Sequence, residues 1–193
     1  MTKHLLAAEA DKIQDLIFRS SRLREVVGGS QLLTRFCREV PPLLQSDGEI
    51  ITSDGGGFRI LFNNPEQANS FGEQLAEIYH RITGGTLSVA RPVPVPEGGF
   101  AQAVREAELA LRRAKLDRAE WQEPEHMPYI ALCASCGSGL AVIRWSGHKQ
   151  EEARYLCKAC WHKNQEHRNF QGQFLQDFYR AVLCQAGLDD SSL

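Results

Sequence analysis

Residues 133–160 read CASCGSGLAVIRWSGHKQEEARYLCKAC, and a C-x-x-C pair stands at each end of the stretch. The four cysteines are Cys133, Cys136, Cys157 and Cys160, with twenty residues between the two pairs. Two intervening residues let a tight turn direct both thiolates of a pair at one point, and two such turns supply the tetrahedral sulfur shell that zinc prefers. Gly137 permits the positive φ that closes such a turn. We therefore expect these four cysteines to hold one structural zinc ion.

The segment between the pairs has the composition of a β-hairpin. Residues 140–145 read LAVIRW, residues 154–156 read RYL, and residues 146–149 read SGHK as a turn, so the pattern predicts a zinc ribbon. Three alternatives remain open. A redox-active C-x-x-C normally opens a helix after a strand in a thioredoxin-like domain, a context that this sequence does not predict. Four thiolates also suit an iron–sulfur cluster, and His162 or His167 is available to replace a cysteine. Four sulfurs would leave no open coordination position, which favours a structural ion over a catalytic one.

The composition is typical of a globular protein. Of the 193 residues, 42% are apolar and 24% are charged, and the formal net charge is −2. This balance excludes a chain-wide basic surface, although it leaves room for a local basic face. The apolar runs are far shorter than the ~20 residues that a membrane helix needs, and Glu9 comes too early for a signal-peptide core. We expect a cytoplasmic protein without membrane contact, in which Cys37 and Cys184 are ordinary reduced, buried residues.

The residues before the cysteine pairs alternate between strand and helix patterns. The expected order is a strand at 4–8, two helices separated by residues 28–30, a hairpin around residues 55–57, a helix at 64–83 and a strand at 86–90 closed by a proline-rich run. Ser30 is the expected N-cap of the second helix. This βαββαβ order is the ferredoxin-like arrangement of polymerase palms and nucleotide cyclases. The predicted fold class is α+β, with a ferredoxin-like palm, an appended zinc ribbon and a C-terminal helix.

Three further segments complete the predicted organisation. A helix at 100–120 directs Val104, Ala107 and Leu111 inward and presents its basic side chains as a solvated face. Residues 123–128 read EPEHMP, which predicts a linker. The terminal residues Phe170, Phe174, Phe178 and Val182 recur at helical spacing. We therefore predict a palm-like domain at 1–122, a zinc ribbon at 123–168 and a C-terminal helix and tail at 169–193.

Several stretches together resemble one family, the large palm subunit of type III CRISPR effector complexes. Residues 10–18, ADKIQDLIF, resemble that family's opening D-x-I-Q-D-F-I-F. Residues 21–33, SRLREVVGGSQLL, resemble its following R-L-R-E-x-x-G-A-S-x-L-L. Residues 55–58 stand where its first palm carries a glycine-rich hairpin, and residues 128–137, PYIALCASCG, resemble the start of its zinc ribbon. The resemblance covers roughly residues 4–168.

In that family two palms face each other and bind two ATP molecules, and a GGDD-type hairpin of the second palm holds the metals for cyclic oligoadenylate synthesis. The present sequence reaches no second palm, and its own hairpin has no acidic pair after the glycines. Phosphoryl transfer through two metals needs clustered carboxylates. Glu9, Asp11 and Asp54 are the candidates, while a turn role for Asp54 and a helix-start role for Asp11 are the alternatives.

The resemblance and this departure from it imply a non-catalytic palm–zinc-ribbon protein. We expect a scaffold or regulatory accessory subunit in type III CRISPR antiviral defence, with other CRISPR-system proteins as partners and at most a weak nucleotide or RNA contact. Gly55, Gly56 and Gly57, together with the bend at 28–30, are the candidate nucleotide-binding residues, because glycines let backbone N–H groups approach phosphate. The alternative is half of a split nucleotidyl cyclase that a second palm completes.

Overall fold

The computed structural model describes residues 2–44, 47–116, 131–146 and 153–168, and within them the chain is α+β with antiparallel sheets. The elements in chain order are β1 (Lys3–Ala10), α1 (Ile13–Phe18), α2 (Leu23–Leu44), β2 (Glu49–Asp54), β3 (Gly57–Phe62), α3 (Pro65–Thr83), β4 (Leu87–Val89), β5 (Val93–Val95), α4 (Phe100–Leu116), β6 (Ile143–Trp145), β7 (Arg154–Leu156) and α5 (Lys158–Arg168). None of the helices in these ranges combines the length and the apolar character needed to cross a bilayer.

The described residues fall into two compact units that interleave along the chain. The sheet unit contains residues 2–13, 33–44, 47–81 and 85–116, and the cysteine unit contains residues 14–32, 82–84, 131–146 and 153–168. The predicted domains 1–122, 123–168 and 169–193 are consecutive ranges instead. Their boundary at 122/123, the linker at 123–128 and the aromatic stripe after residue 169 lie outside the described residues.

Strand β1 is central in the sheet unit. The sheet has the order β2-β3-β1-β4, and all hydrogen-bonded neighbours are antiparallel. β4 pairs with the end of β1, where Ala8 lies opposite Val89, and β5 pairs with its beginning, where Leu5 lies opposite Val93. The predicted strand does end before the proline-rich run, but the run itself was not predicted to form a strand, and it forms β5. The run can form strand β5 because a strand at the edge of a sheet tolerates prolines, whose nitrogen atoms cannot donate a hydrogen bond to a neighbouring strand.

Both faces of β1 are covered, which explains its uninterrupted apolar run. On one face Leu5 and Ala7 pack with Leu61 and with the buried residues of α4, which are Ala103, Ala107 and Leu111. On the other face aromatic rings meet edge to face, with Phe36 of α2 5.1 Å from Tyr79 of α3 between ring centroids. The predicted apolar stripe of α3 is confirmed, since its members Ala68, Phe71, Leu75 and Ile78 are all buried.

Helix α2 contradicts the predicted break at residues 28–30. The helix is continuous from Leu23 to Leu44, so Ser30 is an interior residue and not an N-cap. The glycines serve close packing instead. A Cβ atom on Gly28 would lie 2.0 Å from the carbonyl oxygen of Lys163 in α5, and one on Gly29 would lie 3.3 Å from the Cε atom of the same lysine. Glycine here admits a neighbouring helix, and tertiary contact outweighs its unfavourable helix propensity.

The packing of α2 against α5 gives a direct test. Gly28→Ala should lower the free energy of unfolding by about 2 kcal/mol, because the added methyl meets backbone that cannot swing aside. Gly29→Ala is the matched control on the same helix. Its methyl meets the end of a flexible side chain, and the gain of about 1 kcal/mol in helix propensity offsets the contact. Urea unfolding measures the free energy of unfolding of both variants. Equal losses of stability would contradict this role of Gly28.

Candidate metal centre

The four predicted cysteine ligands converge. The Sγ atoms of Cys133, Cys136, Cys157 and Cys160 all lie within 4.8 Å of one another. The separation between Cys136 Sγ and Cys157 Sγ is 3.8 Å. Among the described residues no other group of three or more His, Cys, Asp or Glu side chains has such spacing. The four cysteines therefore form a site that fits a single metal ion, with no histidine in the cluster.

The first pair sits on a turn whose backbone is directed at the sulfurs. Ser135 donates its N–H to Cys133 Sγ at 3.4 Å, and Gly139 donates its N–H to Cys136 Sγ at 3.5 Å. Gly137 has a φ of +71°, as the sequence predicted, and its N–H donates to the Cys133 carbonyl at 2.9 Å. Such N–H donors stabilise thiolate sulfur, which is the form that binds a metal ion.

The second pair lies at the start of α5, a helix that the sequence analysis did not predict. The Cys157 carbonyl accepts a hydrogen bond from the N–H of Trp161 at 3.0 Å, and its Sγ accepts one from the N–H of Cys160 at 3.5 Å. Cys157 therefore takes the position of an N-cap residue. The positive end of the helix dipole favours negative charge at this place. A thiolate of Cys157 is stabilised both by its donor and by the helix.

Hydrogen bonds among three of the sulfurs shift the pKa values of their thiols in opposite directions. Thiols of Cys157 and Cys160 donate to Cys136, which holds the pKa of Cys136 far below its usual range. The same hydrogen bonds to Cys136 raise the pKa of Cys157 to about 11 and also raise the pKa of Cys160. A bound cation would favour loss of the thiol protons and would neutralise the crowded sulfurs.

A small hairpin and a tryptophan cover the cluster. Strands β6 and β7 pair antiparallel with Ile143 opposite Leu156, which confirms the two predicted strands; most of the turn between them lies outside the described residues. Trp145 and Leu156 are buried with Cys133 and Cys160 in one apolar cluster. This cover shields Cys133 and Cys160 from water, which strengthens their interaction with a cation, while Cys136 and Cys157 are half-buried.

Glu25 of α2 connects the elements around the cluster. Its side chain is fully buried, and its Oε1 atom accepts hydrogen bonds from Ser135 Oγ at 2.8 Å and from Asn164 Nδ2 at 3.0 Å. The guanidinium of Arg154 lies 3.8 Å from the same oxygen. Ser135 stands inside the first cysteine pair, Arg154 begins β7, and Asn164 belongs to α5. The sequence analysis gave Glu25 no role, because nothing in the local pattern marks an acid as buried.

Helix α5 also buries basic side chains against the ends of other helices. Lys163 donates from Nζ to the Leu16 carbonyl, and His162 donates from Nδ1 to the Ile82 carbonyl at 2.7 Å. Both carbonyls belong to final helical turns, where intrahelical donors are lacking and cationic or polar side chains act as caps. Burial lowers the pKa of Lys163 and of His162. His162 therefore has a structural partner and lies outside the cysteine cluster.

The three candidate palm carboxylates do not all come together, because Asp54 lies apart from Glu9 and Asp11. Glu9 and Asp54 both lie opposite Gly57, on the two strands that flank β3, so their backbones are about 10 Å apart at the usual strand spacing. Lys115 of α4 places its Nζ atom 3.1 Å from Glu9 Oε2 and 3.4 Å from Asp11 Oδ1. Asp11 also accepts a hydrogen bond from Ser88 Oγ at 2.6 Å. Lys115, predicted on a solvated face, is an ion-pair partner of both acids.

The glycine turn of the hairpin uses its N–H groups internally. Gly55 and Gly56 have φ values of +57° and +82°, which suits a two-residue hairpin turn. Gly55 donates to Asp54 Oδ1 at 2.8 Å and Gly56 donates to Cys37 Sγ at 3.4 Å. Asp54 thus acts as a turn residue. Nucleotide binding by Gly55, Gly56 and Gly57 stays a prediction, and these contacts leave two of the three N–H groups engaged within the protein.

No protein-family model matches the sequence, and a search among curated proteins finds no matching relative. Three features of the described residues carry its chemistry: the cysteine cluster, the hydrogen bonds that converge on Glu25, and the ion pairs of Lys115 with Glu9 and Asp11.

Glu25 gives a second test. Glu25→Ala should lower the free energy of unfolding by about 3 kcal/mol, because it removes the acceptor shared by Ser135 and Asn164 and the charge beside the guanidinium of Arg154. Glu25→Gln keeps one acceptor oxygen and should lose less. Glu73→Ala, at an exposed helical position, should change stability by about 0.5 kcal/mol at most. Denaturant titrations measure all three, and a neutral Glu25→Ala would show that these contacts contribute little.

Proposed function

We propose that the cysteine cluster holds one zinc ion with a structural role. Zinc bound by thiolates has Zn–S distances of about 2.3 Å, which places the sulfurs of a regular tetrahedron about 3.8 Å apart. The 3.8 Å separation between Cys136 and Cys157 agrees with that value. Four sulfurs leave no coordination position for water or substrate, so the ion stabilises the fold. Together with the paired strands β6 and β7, this arrangement supports a zinc ribbon.

The sheet unit is proposed to be a palm of the ferredoxin-like class. Its elements from β1 to β4 follow the order strand, helices, two strands, helix, strand, which is the ferredoxin-like succession. The placement of β1 between β3 and β4 in an antiparallel sheet also supports it. Helix α4, which covers the face of Leu5 and Ala7, is an addition to that succession.

The chain as a whole is proposed to be a non-catalytic palm–zinc-ribbon protein that acts as a scaffold or regulatory accessory subunit in type III CRISPR antiviral defence. The observation that carries the non-catalytic role is the position of Lys115. Its ammonium group neutralises Glu9 and Asp11 at 3.1 and 3.4 Å, where a catalytic palm would use a divalent ion to bind phosphate. The motifs at residues 10–18 and 21–33 support the type III assignment.

The metal is tested by elemental analysis of the purified protein. We expect about one zinc per chain. Cys133→Ser and Cys157→Ser should lose the metal and much of the stability, because structural zinc contributes on the order of 10 kcal/mol in small zinc peptides. Cys37→Ser is the control, since this buried cysteine lies in the sheet unit and outside the cluster. Iron in place of zinc, or full zinc retention in the cluster variants, would contradict the assignment.

The catalytic state is tested with ATP and Mg²⁺ or Mn²⁺. The chain alone should form no linear or cyclic oligoadenylate, because Lys115 occupies the space between the two acids. Product that appears with the wild-type chain and disappears in Asp11→Ala would overturn the non-catalytic assignment. Product that appears after a GGDD-type palm is added would establish the split cyclase instead.

The accessory role is tested by co-expression with the subunits of a type III effector complex. We expect the chain to elute with at least one of them in size-exclusion chromatography at physiological ionic strength. Separate elution from every subunit would contradict the scaffold role, whatever the metal content of the chain.

A further inference from the structure

The start of α2 carries an apolar patch that faces solvent. Leu23 exposes 77% of its surface, and Val27, one helical turn further on, is half-buried. Side chains four residues apart lie above one another on a helix, so these two form one continuous patch. A single exposed leucine is ordinary on a protein surface. This patch differs because it forms one wall of a cavity.

The cavity has a volume of about 430 Å³ and opens between the start of α2 and the end of α5. Besides the patch, it is lined by Arg22, Arg24 and His167. All of its lining residues belong to the cysteine unit. Pockets that bind small molecules begin at about 300 Å³, so this one is large enough for an aromatic ring. An apolar wall beside guanidinium groups suits such a ring, because a guanidinium is attracted to an aromatic face.

Helix α5 leads the chain along α2 to this cavity. A Cβ atom on Gly28 would lie 2.0 Å from the carbonyl oxygen of Lys163 and 3.3 Å from the Cβ atom of His167. Lys163 and His167 are four residues apart, so they mark the face of α5 that is turned toward α2. The described part of α5 ends at Arg168, one residue beyond the cavity wall. The chain therefore continues from the cavity itself.

The sequence that follows keeps the spacing of this face. Residues 169–193 lie outside the described residues. Phe170, Phe174 and Phe178 follow His167 by three, seven and eleven residues, which is the spacing of one helical face. At a rise of 1.5 Å per residue, a helix advances about 5 Å from His167 to Phe170 and about 10 Å to Phe174. These distances match a cavity wall and an apolar patch on the first turns of a neighbouring helix.

The charge of the segment also matches the cavity. Residues 169–193 contain three Asp and one Arg, while two guanidinium groups line the cavity, those of Arg22 and Arg24. Opposite charges attract over the short distances within a folded unit. A second copy of the chain docked symmetrically through this cavity would bring like charges together, because such a contact places the same surface on both sides. The charges therefore favour the chain's own segment as the occupant.

We propose that residues 170–178 dock on the start of α2, with Phe170 in the cavity and Phe174 over Leu23. The two rings remove the patch from water, and a guanidinium beside a ring adds a favourable contact. The cavity is thus a docking site that the chain fills with its own segment. This docking needs neither the metal assignment nor a CRISPR protein, so it goes beyond the proposed function and is independent of it.

The first experiment is a double-mutant cycle in the full chain. Leu23→Ala and Phe170→Ala are made singly and together, and urea unfolding gives the equilibrium constant of each variant. Contact between the two side chains should make the combined effect differ from the product of the single effects by at least about threefold. Tyr179→Ala is the matched control, because Tyr179 follows His167 by twelve residues and lies off the stripe. Its effect and that of Leu23→Ala should simply multiply.

Hydrogen exchange gives a second measurement, which does not require two-state unfolding. The backbone amides of residues 25–29 should exchange at least about tenfold faster in Phe170→Ala/Phe174→Ala than in the wild-type chain, and at an unchanged rate in Tyr179→Ala. Light scattering should give the same mass for the wild-type chain and for Leu23→Ala. Independent effects of Leu23→Ala and Phe170→Ala, unchanged exchange in the double variant, or a dimer that Leu23→Ala dissociates would each overturn the proposal. The last result would assign the patch to a second copy.

Discussion

The buried carboxylate of Glu25 is the constraint on which the cysteine unit depends. A charge removed from water is unfavourable unless hydrogen bonds and an opposite charge compensate it. Glu25 obtains both from three separate elements, through Ser135, Asn164 and Arg154. These elements must therefore be in place together. One oxygen atom of Glu25 thus links α2 to the first cysteine pair, to β7 and to α5.

Helix α5 shows how the unit is held together by polar contacts more than by an apolar stripe. Its buried side chains include His162, Lys163 and Asn164, and each has a partner on another segment. Two of them cap helix ends, where carbonyl groups would otherwise lack donors. Buried polar contacts of this kind are unfavourable unless they are satisfied, and they therefore favour one arrangement of the helices over others. The glycines of α2 complete this arrangement because they allow the backbones to approach.

The features that the sequence predicted correctly are those that local rules determine. The C-x-x-C spacing is imposed by the chemistry of the ligands, and the helical spacing of Phe71, Leu75 and Ile78 in α3 is imposed by one buried face. Helix α5 was missed because its buried face is polar and shows no apolar period. Gly28 was misread for the same kind of reason, since its role depends on Lys163, far away in the sequence. The Lys115 ion pairs likewise depend on tertiary contacts that no local pattern encodes.

The same contacts determine which charged side chains of these helices are buried and which are exposed. In α2 the acid Glu25 points into the interior while its neighbours Arg22 and Arg24 line an open cavity, and in α5 Glu166 is buried while Arg168 is exposed. Glu25 is buried where Ser135 and Asn164 offer it hydrogen-bond donors, and a carboxylate without such donors would be strongly unfavourable there. Hydrogen bonding to distant parts of the chain, and not helix periodicity, thus decides which charged side chain of α2 lies inside.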